Sequence, residues 1–213
     1  MKVKAGIAKD ARLSFDRADL GKVLNLTALK REAQKHAWRY WLPLLGRATG
    51  ARLEELCQLF TDDIITLQGT PCIRIDDTHK EQKLKNESSR RVLPIHPELI
   101  QLGFLSYVEN VRLSEAHRLF PDLEARRDQL GHAPSKWFGR YRYKHGVCDP
   151  RKTFHSFRHT FIDDLRDAGV QDSLLKRLVG HVDGSMTFGV YGSRIPLEAM
   201  LNAITGLDLH ITQ

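Results

Sequence analysis

Residues 155–161 read His155-Ser156-Phe157-Arg158-His159-Thr160-Phe161. On a helix, His155, Arg158 and His159 stand at positions i, i+3 and i+4 and therefore share one face. Three groups that carry charge or protons repel one another there, so they need an anion opposite, and a phosphate would serve. A second interpretation is an ordinary polar helix face exposed to solvent. A third interpretation is a zinc site, but that motif needs Glu directly after the first His. Ser156 stands there, so no metal site is predicted.

A second basic side chain stands where a glycine turn leads into a predicted helix. Residues 48–56 read Ala-Thr-Gly-Ala-Arg-Leu-Glu-Glu-Leu, which puts Arg52 at the start of that helix. Its planar guanidinium could face a phosphate there, with helix amides nearby. Taken alone, Arg52 is better explained as a surface residue or as a partner of Glu55.

A basic loop joins two predicted strands in the middle of the chain. Residues 83–91 read Lys-Leu-Lys-Asn-Glu-Ser-Ser-Arg-Arg. Such a loop suits contact with a DNA backbone, and a lysine in it can act as a general acid. An ordinary solvated loop is the alternative.

The last motif is Leu178-Val179-Gly180-His181, which Tyr191 follows ten residues later. A tyrosine hydroxyl is a poor nucleophile near neutral pH because its ordinary pKa is about 10. Cationic neighbours would stabilise the phenolate. A lone tyrosine before a glycine is more often a half-buried aromatic residue.

Composition favours a nucleic-acid partner. The 213 residues include 33 Lys and Arg against 26 Asp and Glu, a net charge of +7. This balance suits a polyanion or an anionic membrane surface. No apolar run approaches the roughly 20 residues that span a bilayer, and no secretion signal follows Met1. Cys57, Cys72 and Cys148 are far apart, which disfavours a disulfide framework or a zinc site and fits a reducing cytoplasm.

The hydrophobic pattern predicts an α+β protein that is mainly α. We expect a polar, mobile tail over 1–13, one domain over 14–213, and a helix over 32–47 that Pro43 would kink or split. Short apolar runs predict a small three-stranded antiparallel sheet packed on helices, with strands near 64–67, 72–75 and 91–95. Helical periodicity is found near 97–111, 132–145, 156–168, 172–179 and 197–205.

Taken in this order, the motifs resemble those of the tyrosine recombinases, the phage-integrase family. Residues 48–56 resemble the family's first arginine box, and 85–94 resemble the segment that carries its lysine. Residues 155–161 match the H-x-x-R box almost residue for residue. Val179-Gly180-His181 and Phe188-Gly189-Val190-Tyr191-Gly192 are similar to its last two boxes.

The resemblance implies the tyrosine-recombinase catalytic fold and a site-specific recombinase or integrase. Such an enzyme cleaves and rejoins DNA through a 3′-phosphotyrosyl intermediate and needs neither metal nor ATP, so no cofactor is expected. By the same resemblance, Tyr191 is the nucleophile, and Arg52 and Arg158 bind the non-bridging oxygens of the phosphate.

The remaining roles also follow from the resemblance. Lys85 would protonate the leaving 5′-oxygen, with Lys83 and Lys80 as alternatives. His155 would take the tyrosine proton or position the phosphate, and His181 would donate a hydrogen bond to it. Two departures stand out: the spacing from His181 to Tyr191 is one residue longer than in many relatives, and there is no room for the usual N-terminal DNA-clamping domain.

Double-stranded DNA is the expected partner, in the cytoplasm of a prokaryote or a phage-infected cell. Residues 136–152 interleave basic and aromatic side chains, and Arg140 and Lys144, at i and i+4, are candidate DNA contacts together with Lys83 and Arg90. Residues 196–209 are amphipathic. They would pack on their own core or, as in the resembling family, dock on a neighbouring subunit. The resemblance implies a tetramer on DNA, and the free protein could be a monomer.

Three other functions are weighed against this one. A DNA-binding module without catalysis is disfavoured because all six catalytic-type positions are filled. A type IB topoisomerase commonly has Lys where His155 stands. A metal-dependent nuclease would need a carboxylate cluster, which the sequence does not suggest.

Overall fold

The computed structural model describes residues 12–180 and 196–213. Within these ranges the helices are α1 (Arg17–Val23), α2 (Leu26–Ala33), α3 (Trp38–Thr49), α4 (Leu53–Cys57), α5 (Pro97–Gln101), α6 (Phe104–Leu113), α7 (His132–Lys144), α8 (Ser156–Asp167), α9 (Asp172–Val179) and α10 (Leu197–Thr205). The strands are β1 (Ile64–Leu67), β2 (Thr70–Ile75) and β3 (Arg91–Pro94). The predicted α+β class, mainly α, is confirmed.

The predicted small sheet is also confirmed, with order β1-β2-β3 and antiparallel pairing throughout. The turn between β1 and β2 uses Gln68 and Gly69, both with positive φ (50° and 78°), as a tight hairpin requires. Ile73 pairs with Ile64 on one side and Leu93 on the other, and all three are buried. By contrast, β2 and β3 are joined by the long loop 76–90.

Two helix boundaries differ from the predicted ones. The chain turns over 34–37, where Glu32 accepts hydrogen bonds from Arg39 (2.9 Å) and Trp137 (2.9 Å). Helix α3 then begins at Trp38 and contains Pro43. Of the two predicted effects of Pro43, a split of the helix is therefore wrong, because the burial of neighbours such as Leu42 and Leu44 outweighs one lost backbone hydrogen bond. The helix predicted over 97–111 is divided at Gly103, whose φ is +90°.

Helices α3 and α8 pack closely because glycines line their contact. A Cβ on Gly46 would lie 2.7 Å from the Phe154 ring, and one on Gly50 would lie 2.5 Å from the Phe161 ring. Gly50 also ends α3 in the left-handed conformation, with φ of +59°. These two positions bring the H-x-x-R helix directly against the turn that precedes Arg52.

The C-terminal segment packs on its own chain. Leu197, Met200 and Ile204 of α10 are buried in the common core. Arg47, whose side chain is buried, donates to the carbonyls of Asp208 (2.6 Å) and Leu209 (3.4 Å). It also forms an ion pair with Asp164 at 2.6 Å. At the start of the described chain, the last two residues of the predicted tail, Arg12 and Leu13, hydrogen-bond to Thr153 and Arg151.

Candidate active site

Arg158 is buried where three segments meet. Its side chain lies on α8 with only 2% of the residue exposed. Nη1 donates to the carbonyl of Gly50 (2.9 Å), and Nη2 donates to that of Val179 (2.6 Å). Burial, followed by the nearby Arg52 and Arg91, lowers the pKa of Arg158 to about 10. The group is therefore still cationic at neutral pH, and these two bonds use two of its five N–H donors.

The C-terminal end of α9 receives two arginines. Besides the bond from Arg158 to Val179, Nε of Arg91 donates to the carbonyl of Leu178 at 3.0 Å. Helix C-termini carry partial negative charge from unpaired carbonyls, so cations are favourable there. The helix ends at Gly180 in the left-handed conformation, where a Cβ would lie 3.0 Å from Nη1 of Arg91. The arginines thus hold the chain immediately before His181.

Arg52 is the N-cap residue of α4, as the sequence predicts. Its Nη1 donates to Glu55 at 2.6 Å and to the hydroxyl of Ser89 at 3.2 Å. The pairing with Glu55 that the sequence left open is therefore present. The Arg52 guanidinium is thus held in place by Glu55 and Ser89. Its side chain is nevertheless 24% exposed, so it can reach a ligand from solvent.

Glu55 and Arg91 form a buried ion pair beneath this surface. Nη2 of Arg91 lies 2.8 Å from Oε2 of Glu55, with side-chain exposures of 1% and 5%. Burial alone would raise the pKa of Glu55, but Arg91 and Arg52 outweigh it and hold the pKa below its ordinary value. In this cluster of the described residues, the guanidiniums of Arg52, Arg91 and Arg158 surround the single carboxylate of Glu55, which offsets only one of the three positive charges. The excess of positive charge favours an anion.

His155 stands at the edge of the cluster, as the N-cap residue of α8. Its ring lies 5.0 Å from that of His159, close to perpendicular. The residue is exposed overall, but partial withdrawal of the imidazole from water, then the neighbouring His159 and Arg158, lower its pKa to about 4. Arg12 and Arg52 act in the same direction. His155 is consequently neutral at pH 7 in the absence of an anion.

The lysine loop touches this cluster through Ser89, whose hydroxyl accepts from Arg52, but its own cations lie outside the cluster. Lys85 is exposed in the loop 76–90. Lys83 is exposed too, 4.0 Å from Asp128, and Arg90 forms ion pairs with Asp76 (3.1 Å) and Asp77 (2.7 Å). The loop thus presents exposed cations, and Arg90 among them is already paired with acidic side chains.

Helix α7 separates its aromatic and basic side chains. Trp137, Phe138 and Tyr141 are buried, whereas Arg140 and Lys144 are exposed on one face. Arg142 is the exception, because it is buried and donates to the carbonyl of Val147 at 2.6 Å. The helix therefore combines aromatic side chains in the core with cations on the surface.

His181 and Tyr191 lie outside the described residues.

In 12–180 and 196–213, no group of three or more His, Cys, Asp or Glu side chains is arranged to hold a metal ion. Within those same ranges, none of the helices combines the length and apolar character that crossing a membrane requires.

The sequence of residues 21–194 matches the phage integrase family. This chain belongs to that family. Among curated relatives, tyrosine recombinase XerA of Thermococcus kodakarensis is 30% identical over 146 residues, which cover 68% of this chain and 47% of XerA. The chain therefore spans about half the length of that relative.

Solved structures show the same fold as this phage-integrase family member. The integrase from mycobacterium phage Brujita superposes with a TM-score of 0.60 at 20% identity, covering 95% of this chain and 59% of that one. A lambda integrase tetramer bound to a Holliday junction gives 0.55 at 19%, covering 86% and 49%. A crystal structure of XerA recombinase gives 0.56 at 17%, covering 97% and 62%.

Two residues of this arginine cluster were not assigned by sequence reasoning. Arg91 ends the basic segment 83–91 but was given no role of its own. Glu55 was considered only as a possible partner of Arg52. A signal for Arg91 exists: it stands in register with buried Ile75, two residues before buried Leu93 on the same strand, so its side chain points inward. A buried arginine needs acceptors that offset its desolvation, and for Arg91 one of them is the carboxylate of Glu55, three residues after Arg52.

Replacing Glu55 by glutamine is expected to lower the free energy of unfolding by about 3–5 kcal/mol at pH 7, because it leaves Arg91 buried without its charged partner. Since the folded-state pKa of Glu55 is depressed, its stabilisation is complete above the ordinary value of 4.5 and disappears as the pH falls through the folded-state value. The difference between the two proteins should therefore shrink on acidification. Urea unfolding at several pH values measures it.

The control for that substitution is Glu124→Gln, at an exposed position, which should change stability by no more than about 0.5 kcal/mol. An equal, small effect of both substitutions would show that the buried pair does not stabilise the fold.

His155 should titrate near pH 4 in the protein without ligand, and sulfate, as a stand-in for phosphate, should raise that midpoint because an anion stabilises the imidazolium. NMR of the ring protons measures the shift, with His155→Gln to assign the signal. Sodium chloride at equal ionic strength is the control. A midpoint that responds equally to both salts would contradict an anion site beside His155.

Proposed function

We propose that this chain is the catalytic domain of a site-specific DNA recombinase that cuts and rejoins DNA through a 3′-phosphotyrosyl intermediate on Tyr191. The observation that supports the proposal best is the cluster in which Arg52, Arg91 and Arg158 surround the single carboxylate of Glu55, so that positive charge is in excess. Such an arrangement is prepared for an anion before the anion arrives, which is how transition-state charge is stabilised without reorganisation. Membership of the phage integrase family makes a DNA phosphodiester the expected anion.

The proposed cleavage step transfers the phosphate from one oxygen to another. The Tyr191 oxygen forms a bond to phosphorus, and the bond from phosphorus to the 5′-oxygen breaks. Arg52 and Arg158 bind the non-bridging oxygens, where negative charge builds. The covalent link conserves the bond energy, so a 5′-hydroxyl from a partner strand can reverse the step and join the strands.

Protons move through two groups in this proposal. Lys85 gives its proton to the leaving 5′-oxygen, and its exposure in the loop suits contact with a bound substrate. His155, neutral at pH 7, can accept the phenolic proton of Tyr191, and a phosphate beside it would strengthen it as a base. His181 donates a hydrogen bond to the phosphate.

We propose that Lys83, Arg90, Arg140 and Lys144 contact the DNA backbone. Arg140 and Lys144 extend from α7 into solvent, whereas Arg90 would have to exchange Asp76 and Asp77 for phosphate. Structures of relatives include XerH bound to its difH substrate and a lambda integrase tetramer on a Holliday junction. Binding should weaken steeply with salt.

We extend the proposal to assembly and location. The chain acts as a tetramer on DNA in the cytoplasm of a prokaryote or a phage-infected cell, with α10 docking on a neighbouring subunit. In the free chain α10 packs on its own core, which fits a monomer without DNA. Sedimentation with and without a DNA site compares the two states.

A covalent-adduct assay tests the proposed function. The protein is incubated in EDTA with a random-sequence duplex library, and adducts that survive denaturing detergent are selected to find the site. A nicked duplex of that site should then accumulate a protein–DNA adduct. DNA binding without an adduct would indicate a binding module, and cleavage that EDTA abolishes would indicate a nuclease. Relaxation of supercoiled DNA without strand exchange would indicate a topoisomerase.

A further inference from the structure

The loop 76–90, which carries Lys85, is long for a connection between neighbouring strands. A general acid must lie within hydrogen-bond reach of the atom that it protonates. A loop of this length needs contacts with the rest of the protein to hold one exposed side chain within that reach. The structure has such an anchor on each side of Lys85.

The first anchor is Gln58, the C-cap residue of α4, which is 3% exposed. Its Nε2 donates to the carbonyl of Lys83 at 3.1 Å, and its Oε1 accepts from the amide of Lys83 at 2.9 Å. One side chain thus satisfies both backbone groups of the residue two positions before Lys85. Gln82, itself 5% exposed, donates to buried Asp63 at 2.7 Å and secures the same point.

The second anchor is Ser89, which is fully buried. Its hydroxyl donates to Oδ1 of Asn86, the residue directly after Lys85, at 2.6 Å. The same hydroxyl accepts from Nη1 of Arg52 at 3.2 Å. The loop downstream of Lys85 is therefore tied to Arg52 itself.

Both anchors attach to one short helix. Arg52 directly precedes α4 and Gln58 directly follows it, so the helix joins the two points between which Lys85 extends. We propose that Gln58 and Ser89 are positioning residues, which fix the loop at both ends of α4 and so set the place of Lys85 relative to Arg52. This inference rests on the proposed function, and both residues act through Lys85 rather than on the phosphate.

Two versions of one substrate test it, with either oxygen or sulfur at the 5′ position of the scissile bond. When phosphorus bonds to Tyr191, the oxygen version releases an alcohol that takes the proton of Lys85. The sulfur version releases a thiolate, which leaves without that proton because thiols are far more acidic than alcohols. A misplaced general acid therefore slows the first reaction and spares the second, whereas damage to the rest of the site slows both.

Gln58→Met keeps the buried length of the side chain but removes both hydrogen bonds to Lys83. We expect it to slow adduct formation on the oxygen substrate by roughly tenfold to a hundredfold and to leave the rate on the sulfur substrate unchanged. Ser89→Ala removes a single hydroxyl and keeps the test available if Gln58→Met folds poorly. Because that hydroxyl also contacts Arg52, we expect some slowing on both substrates and a clearly larger slowing on the oxygen substrate. Lys85→Ala removes the general acid itself, so its slowing on the oxygen substrate relative to the sulfur substrate gives the largest effect that misplacing Lys85 could produce.

The matched control is Tyr107→Phe, which removes a partly buried hydrogen bond to the carbonyl of Leu119 (2.7 Å) away from the loop. It should show no preference between the two substrates. Equal slowing on both substrates by Gln58→Met and Ser89→Ala would overturn the inference, as would unchanged rates on both. If the unsubstituted protein formed no adduct with either substrate, the proposed function would fail instead.

Discussion

Replacing Tyr191 by phenylalanine is expected to abolish the covalent adduct, reducing the rate of its formation by on the order of 10⁴-fold or more, as when other catalytic nucleophiles are removed. The substitution deletes only the oxygen that would bond to phosphorus. Binding of uncleaved DNA should therefore persist. Gel electrophoresis in detergent measures the adduct, and fluorescence anisotropy measures binding.

The matched control for this experiment is Tyr143→Phe, because Tyr143 is 65% exposed on the surface of α7 and has no proposed role in catalysis. It should form the adduct at the normal rate. An adduct formed by Tyr191→Phe would place the nucleophile elsewhere, and peptide mapping of the adduct would identify it.

Replacing Arg158 by alanine should reduce the rate of adduct formation by about 10²–10³-fold, because a donor to the charged transition state is lost. It should also destabilise the fold by about 1–3 kcal/mol for each buried carbonyl left without its partner, at Gly50 and Val179. Arg158→Lys retains the charge, but one ammonium cannot reproduce the planar fork that spans both carbonyls. Single-turnover rates and urea unfolding measure the two effects separately.

Arg142→Ala separates catalysis from stability in that comparison. Arg142 is also a buried arginine, and it donates to the carbonyls of Val147 and Asp149. We expect a comparable loss of stability and a normal rate of adduct formation at a temperature where both variants are folded. If Arg158→Ala and Arg142→Ala had the same effect on the rate, Arg158 would be a structural residue only.

Local patterns predicted the elements that present the site. Gly50 before Arg52 predicted a helix beginning there, and α4 begins at the next residue. The i, i+3 spacing predicted that His155 and Arg158 share a helix face, and both are coupled electrostatically to Arg52. Such predictions succeed because turns, caps and helical spacing depend on residues close together along the chain.

Local sequence patterns did not predict features that depend on long-range contacts. Pro43 does not divide α3, since burial on the surrounding core decides that helix. Gln58 was given no role from the sequence, because nothing in its neighbourhood along the chain indicates that it holds Lys83, 25 residues away. Its role depends on how the loop 76–90 lies across α4, which no local pattern encodes.

The sequence by itself determined the family, the helical class with its small sheet, and the order of Arg52, Lys85, His155, Arg158, His181 and Tyr191. Only the tertiary structure decided which charges neutralise one another. Glu55 pairs with Arg91 across 36 residues, and Arg158 donates to the carbonyl of Gly50 across 108 residues. The physical reason is that a buried charge takes whatever partner packing brings within about 3 Å, and packing joins segments that no periodicity along the chain relates.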